Sequence, residues 1–310
     1  MQIFNLGVAW CWEYDKDLVI DLEKECLQRG VSIYRIAFYN LKETIEKIES
    51  GELNFNLFFD RASDLDVDFD DLVFLAKRKG IKMINDIDRA IWATDKATMH
   101  LEFLSAGIDV PYTLILSPHE VNPELTLSKS DLDKIGIPFV IKPACGGCGD
   151  GVILDADSWE DIKFARKDFP DDKYLVQEKI VPKMINGQRA WFRVYYSCGE
   201  VFCCFWDDQT KIANLLYKDQ IDEKVYSEIE NIIGKIAQIS HLDLFSTEIA
   251  LSHSNKLIVI DHVNDQIDLR KKSQHYDGVP DEVVHNIVFS LVTHTQRTIA
   301  QEKSNLRVSQ

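Results

Sequence analysis

Lys142 and the glycines that follow it are the residues best suited to chemistry in this chain. Residues 137–154 read IPFVIKPACGGCGDGVIL: an apolar run ending in Lys142-Pro143, a loop carrying Gly146, Gly147, Gly149 and Gly151, and a second apolar run from Val152. Glycine reaches backbone conformations that turn successive N–H groups inward, and a row of such groups cradles an anion. Glycines alone would mean only a flexible turn. With a lysine at the edge and strand-like runs on both sides, the stretch predicts a flap over phosphate. It is not a GxxxxGKS/T loop. Its GxGxG run is followed by strand-like rather than helical sequence, which excludes a dinucleotide fingerprint.

A triphosphate under such a flap calls for Mg²⁺, which takes oxygen ligands and usually only one or two carboxylates besides the phosphates. Two stretches could supply them. Glu248 is a charge inside the apolar run STEIAL, and Asp261 and Asn264 close the run KLIVIDHVND. A carboxylate in a buried strand is costly unless it is paired or metal-bound. A buried ion pair for Glu248 and an Asx-turn for Asn264 are the plainer alternatives. Lys96 stands in the first turn of an expected helix, where it opposes the helix dipole, a placement that makes sense if it faces an anion. Arg61 directly follows an apolar strand, and a guanidinium there suits a carboxylate or phosphate; Glu13 is a further polar candidate at such a strand end.

The elements that must position these groups can be read from periodicity. Strands are expected over 3–10, 31–38, 55–60 and 81–85, with helices over 15–28, 41–49 and 69–79 between them. This alternation implies a small parallel sheet covered by helices, whose ligands gather at the carboxyl ends of the strands. A helix over 94–106 and a strand over 112–116 follow, then a short helix over 128–134, the glycine hairpin, a helix over 158–169 and a strand over 175–180. Runs 189–198 and 200–206 pair around Gly199. A helix over 222–240, strands over 247–251 and 257–260, and a closing helix over 281–300 complete the chain, with a frayed end expected beyond it. The fold class is therefore α/β and α+β.

The formal charge of −16 argues against nucleic acid or an anionic membrane surface as partner, because phosphate backbones need a basic footprint. The seven cysteines lack metal-ligand spacing: Cys145 and Cys148 form a CxxC inside the glycine loop with no second pair, and Cys203-Cys204 reads as core filler. No apolar run reaches the ~20 residues of a membrane span, and no signal-peptide pattern opens the chain. A cytoplasmic protein with reduced thiols is expected.

Taken in order, Asp95-Lys96 opening a helix, KPACGGCGDGV, LVQEKI, Arg193 in a strand, Glu248 and Asn264 resemble the ATP-grasp superfamily, which includes D-alanine–D-alanine ligase, glutathione synthetase and the ribosomal-protein glutamate ligases. The resemblance covers nearly the whole chain. It implies an ATP-grasp fold, two subdomains gripping ATP, preceded by a parallel α/β domain: residues 1–92, then 93–175 with the flap, then 176–310 with the metal and substrate sites. By the same resemblance, Lys96 and Lys142 hold the ATP phosphates under Gly146, Gly147, Gly149 and Gly151. Glu178 faces the adenine, with Gln177 and Ile180 beside it. Arg193 meets the γ-phosphoryl group, and Glu248, Asp261 and Asn264 bind Mg²⁺ or Mn²⁺.

The implied activity is a carboxylate–amine ligase working through an acylphosphate, with small-molecule or peptide substrates; a homodimer is common in the superfamily. A hydroxyl-phosphorylating kinase or a non-catalytic ATP-binding module would share the fold. The sequence departs from the pattern where the superfamily shows Glu-x-Asn and a Pro-Gly loop. His262 stands two before Asn264, Asp261 one step earlier, and the loop reads DQIDLRKKSQHYDG. Strict alternation would put His262 on the face of Asn264 and turn Asp261 away. A bulge could re-aim Asp261, which is the expected ligand, with His262 its rival. Asp268, Arg270, Lys271 and Lys272 in that loop suggest an unusual acceptor site for an anionic substrate, with Arg61 and Arg270 as its anchors.

Overall fold

A computed structural model describes residues 1–124, 127–147 and 149–308. The first unit alternates as its periodicity predicts: β1 (Gln2–Trp10), α1 (Lys16–Gln28), β2 (Ile33–Ile36), α2 (Leu41–Glu49), β3 (Leu53–Arg61), α3 (Asp70–Arg78) and β4 (Lys82–Ile84). The strands form a parallel sheet in the order β2-β1-β3-β4. Trp10 is opposite Arg61, so the carboxyl ends of the two central strands lie side by side.

Two helices then follow where one was expected: α4 (Ile87–Thr94), N-capped by Asp86, and α5 (Lys96–Ser105). The break is Asp95, whose extended backbone ends α4 while its carboxylate accepts from the N–H groups of Ala97 and Thr98 and so starts α5. Lys96 is thereby the first residue of a helix.

The second sheet is built from β5 (Thr113–Leu116), α6 (Lys129–Ile135), β6 (Phe139–Pro143), β7 (Ile153–Ala156), α7 (Trp159–Ala165) and β8 (Tyr174–Glu178), in the order β5-β8-β6-β7 and wholly antiparallel. Its own core is centred on Phe139, Ile141, Tyr174 and Val176. A short ribbon, β9 (Met184–Ile185) and β10 (Gln188–Arg189), leads to the third sheet.

That sheet contains β11 (Trp191–Ser197), β12 (Glu200–Asp207), β13 (Ile212–Leu215), β14 (Leu244–Leu251) and β15 (Leu257–Asn264), ordered β13-β12-β11-β14-β15, with α8 (Glu223–Ser240) between β13 and β14. Strand β13 was not foreseen, because its four residues carry no alternation long enough to register. Buried Ile229, Ile232, Ile233 and Ile236 of α8, at helical spacing, join Phe192, Val194, Phe245 and Ile249 in the core on one face of this sheet. The other face shares a core with the first unit, through Leu6, Val8, Leu18, Tyr195 and Leu244 and the helix α9 (Asp281–Val308). Helix α9 continues past residue 300, where fraying was expected. Among the described residues no helix is long and apolar enough to cross a membrane.

Candidate active site

The glycine stretch is a strand–loop–strand. Strands β6 and β7 pair with Phe139 opposite Ala156 and Ile141 opposite Ile153, and the loop between them projects toward α5. Gly146, Gly149 and Gly151 have φ of 91°, 84° and 69°, a region that favours glycine, whereas Gly147 does not need it. A Cβ on Gly151 would also lie 2.6 Å from the Phe169 ring. The CxxC half at Cys148 lies outside the described residues; the Cys145 N–H donates to the Asp172 carboxylate at 2.8 Å.

Two cations meet under the flap. Lys96 Nζ donates to the Gly146 carbonyl at 2.5 Å. Lys142 is 6% exposed and donates across the cleft to the Ile260 carbonyl of β15 at 3.0 Å, joining the second sheet to the third. Burial, with the Lys96 charge adding to it, lowers the Lys142 ammonium to about 8 against the pull of Asp261 and Glu248.

The facing surface comes from β11, β14 and β15. Arg193 is directly opposite Glu248, and Glu248 is directly opposite Asp261. Strand β15 is irregular on both sides of that pair: three steps on β15 match two on β14 between Asn264 and Asp261, and two match one between Asp261 and Val259. These bulges set Asp261 against Glu248 and Asn264 against Ser246 despite their odd spacing. Burial raises Asp261, but Lys142, Lys96 and Arg193 more than offset it and hold the carboxyl below its ordinary value. Glu248 goes the other way, raised by burial and by Asp261 against the pull of Arg193. His262 is wholly buried on the far side of the strand, against His100 and Phe103 with ring centroids at 5.6 Å each. Burial drives its pKa well below the usual imidazole range.

No group of three or more His, Cys, Asp or Glu side chains converges among the described residues. The oxygen donors Glu248, Asp261 and Asn264 nonetheless suit a hard divalent cation that takes its remaining ligands from phosphate and water. Within the described residues Glu248 Oε1 accepts no hydrogen bond, while Oε2 accepts the Trp191 indole N–H at 2.9 Å.

The expected substrate anchors have protein partners. Arg61, 5% exposed, donates through Nε and Nη2 to both oxygens of buried Asp15 at 3.0 and 2.9 Å, and through Nη1 to Gln266 at 3.0 Å. Its guanidinium ties β3 to the start of α1 and to the loop after β15, which is a frame-holding arrangement. Arg270 bonds Asp268 and Asp277, with its guanidinium carbon 5.9 Å from the Trp12 ring and 5.7 Å from that of Tyr14. Lys271 pairs with Asp21, and Lys272 donates to Asn214 at 2.7 Å. The cations of this loop thus help to hold the loop in place. At the strand ends the balance is acidic: Asp64 is pushed up to about 6 by burial, against Arg61 and with Asp60 and Asp265 adding to the rise. Glu13 lies in a single 3-10 turn before α1, and Asn85 is spent on the backbone of Asp243 and Leu244.

At the other end of the cleft, the Glu178 carboxylate accepts from the Tyr112 N–H at 2.9 Å, the Gln177 amide donates to Thr113 at 2.9 Å, and Ile180 packs against the large core. Three contributors were missed from sequence: Trp191, Trp206 and Asp15. Nothing local marks the indoles, and only the β11–β14 register brings Trp191 to Glu248. Arg193 lies over the Trp206 ring at 4.8 Å.

No family model matches the sequence, and no curated protein matches it. Solved structures do match. The D-alanine–D-alanine ligase of Bacillus anthracis, complexed with ATP, superposes with a TM-score of 0.65 at 14% identity over 96% of this chain and 98% of that one. The ATP-grasp ligase PsnB, complexed with a minimal precursor, Mg and ADP, gives 0.63 at 14% identity, covering 94% and 98%. A RimK-domain ATP-grasp protein of Sphaerobacter thermophilus gives 0.60 at 16% identity, covering 92% and 99%. The chain has the ATP-grasp fold, with a parallel α/β unit ahead of the grasp.

Proposed function

We propose that this chain is an ATP-dependent carboxylate–amine ligase. The observation that carries the reading is the convergence of Lys96 and Lys142 from one side of the cleft on Arg193, Glu248 and Asp261 from the other. Lys96, Lys142 and the N–H groups of the flap hold the ATP phosphates, with Glu178 facing the adenine and backbone groups of its neighbours bonding the ring. Glu248, Asp261 and Asn264 hold Mg²⁺, which when bound offsets the repulsion between a substrate carboxylate and the triphosphate. A carboxylate oxygen attacks the γ-phosphorus, ADP departs, and Arg193 neutralises charge on the transferring group. An amine then attacks the acylphosphate carbon, phosphate leaves, and the amine loses a proton as the amide forms.

The substrates are small molecules or peptides. Arg270, beside Trp12 and Tyr14, is the proposed rim contact; Arg61 holds the frame under it. The proposed units are those expected from sequence, 1–92, 93–175 and 176–310, although β8 (Tyr174–Glu178) lies wholly in the second sheet.

The test is calorimetry of Mg·ATP binding, followed by carboxylate and amine panels read for ADP and phosphate together. Free phosphate that depends on both substrates supports the ligase. ADP without phosphate in the presence of a hydroxyl compound means a kinase. A protein that ignores Mg·ATP, with Lys142→Ala the same as wild type, refutes the reading.

A further inference from the structure

An arginine and a glutamate directly opposite each other on antiparallel strands, both largely shielded, ordinarily close into a charge-assisted pair of about 2.8 Å. Arg193 and Glu248 do not. Their nearest approach is 3.8 Å, an ion pair but outside hydrogen-bond range, with side chains 20% and 18% exposed. Each is held by an indole instead. The Trp191 N–H bonds Glu248 Oε2 at 2.9 Å, and the Trp206 ring lies under the Arg193 guanidinium at 4.8 Å. The register explains both contacts. Trp191 is two residues before Arg193 on β11 and faces the same side, so it reaches Glu248 diagonally across the β11–β14 pair. Trp206 comes from β12 on the other flank of β11.

We propose that Trp191 and Trp206 are positioning residues that hold this pair apart, so that Glu248 stays open to a divalent cation and Arg193 to phosphate. The inference rests on the ligase reading of the site. Its physical basis is a competition. A closed Arg193–Glu248 bridge would consume the charge that each group must offer to a ligand. An indole N–H has one donor and no acceptor, so it can satisfy one carboxylate oxygen without supplying a charge. A ring face holds a guanidinium by its quadrupole and leaves the N–H groups at its edge free. Both rings are more than nine-tenths buried in the large core and have little freedom to move. Partners of this kind, one layer behind a metal ligand, typically change metal affinity about 10- to 100-fold when removed.

The experiment measures Mn²⁺ affinity by electron paramagnetic resonance, with a non-hydrolysable ATP analogue bound, so the readout does not depend on turnover. Trp191→Phe keeps the ring and removes the N–H. It should weaken Mn²⁺ binding about tenfold or more in the presence of Arg193 and by less than about threefold in an Arg193→Met background, because the cause is collapse of Glu248 onto Arg193. Trp206→Leu should weaken Mn²⁺ binding from the Arg193 side, and it carries the test if Trp191→Phe does not fold. Equal losses in both Arg193 backgrounds, or unchanged Mn²⁺ affinity in Trp191→Phe or Trp206→Leu, overturn the device while leaving the ligase reading intact. A wild-type protein that binds no Mn²⁺ with the analogue overturns both.

Discussion

At the scale of single residues, Lys142 combines near-complete burial with a proposed task, holding phosphate, that needs its charge. Burial lowers its ammonium to about 8, below the ordinary 10.5. Between those values the unfolded chain keeps a proton that the folded chain has released, so this site's contribution to stability rises with pH there and is least favourable below about 8. Nucleotide binding should run the opposite way, because the phosphates need the charged form. ATP affinity, measured by calorimetry at saturating Mg²⁺, should be flat to about pH 8 and then weaken toward ~10-fold per unit. Lys142→Met should be weak and flat throughout. A wild-type profile level to pH 9.5 would remove the lysine from the phosphate site. Arg61 makes the opposite kind of residue. Arg61→Ala strands the buried Asp15 carboxylate and should cost about 3–5 kcal/mol in urea unfolding. A substrate anchor would instead leave stability unchanged and raise KM.

The flap shows what can be decided at the scale of an element. Gly151 combines a positive φ of 69° with a Phe169 ring where a Cβ would go, while Gly147 has open space and ordinary backbone. Gly151→Ala should therefore cost about 1–2 kcal/mol in the left-handed backbone alone, speed amide exchange across β6 and β7, and weaken ATP binding. Gly147→Ala should change exchange little; equal effects from the two would mean that the loop works through chain flexibility, not through this shape. The flap was legible because its composition is unusual: glycines between two apolar runs, with Lys142 on the first. Helix α4, ahead of the helix expected over 94–106, was not, nor was the start of α5 at Lys96: Asp95 separates the two by its own backbone angles, and aspartate is common both at caps and on helix surfaces.

Across the whole molecule the three sheets are not equally independent. The first and third share one core through α9, where Val284, Ile287, Leu291 and Val292 are buried among residues of both. Leu291→Ala should cost about 2–5 kcal/mol, and hydrogen exchange should show β1 and β11 losing protection in one step. The second sheet has a separate small core and meets the third through contacts such as Lys142 to Ile260. It should open at lower free energy, and added Mg·ATP should protect it preferentially. Loss of protection in β1 well ahead of β11 would show that the shared core does not join them.

The amino-acid sequence by itself determined the alternation of the first unit, the glycine flap and its lysine, and the identity of the cations and carboxylates that line the cleft. These depend on local composition and period. The tertiary structure alone decided which groups those charges meet. Arg61 and Lys271 are matched to Asp15 and Asp21, partners 46 and 250 positions away as the numbering runs. Asp261 stands opposite Glu248 while His262 goes to the core, because bulges in β15 shift a register that period-two alternation would have set the other way. A charge announces itself in a sequence, but what neutralises it depends on strands and loops that meet only when the chain has folded.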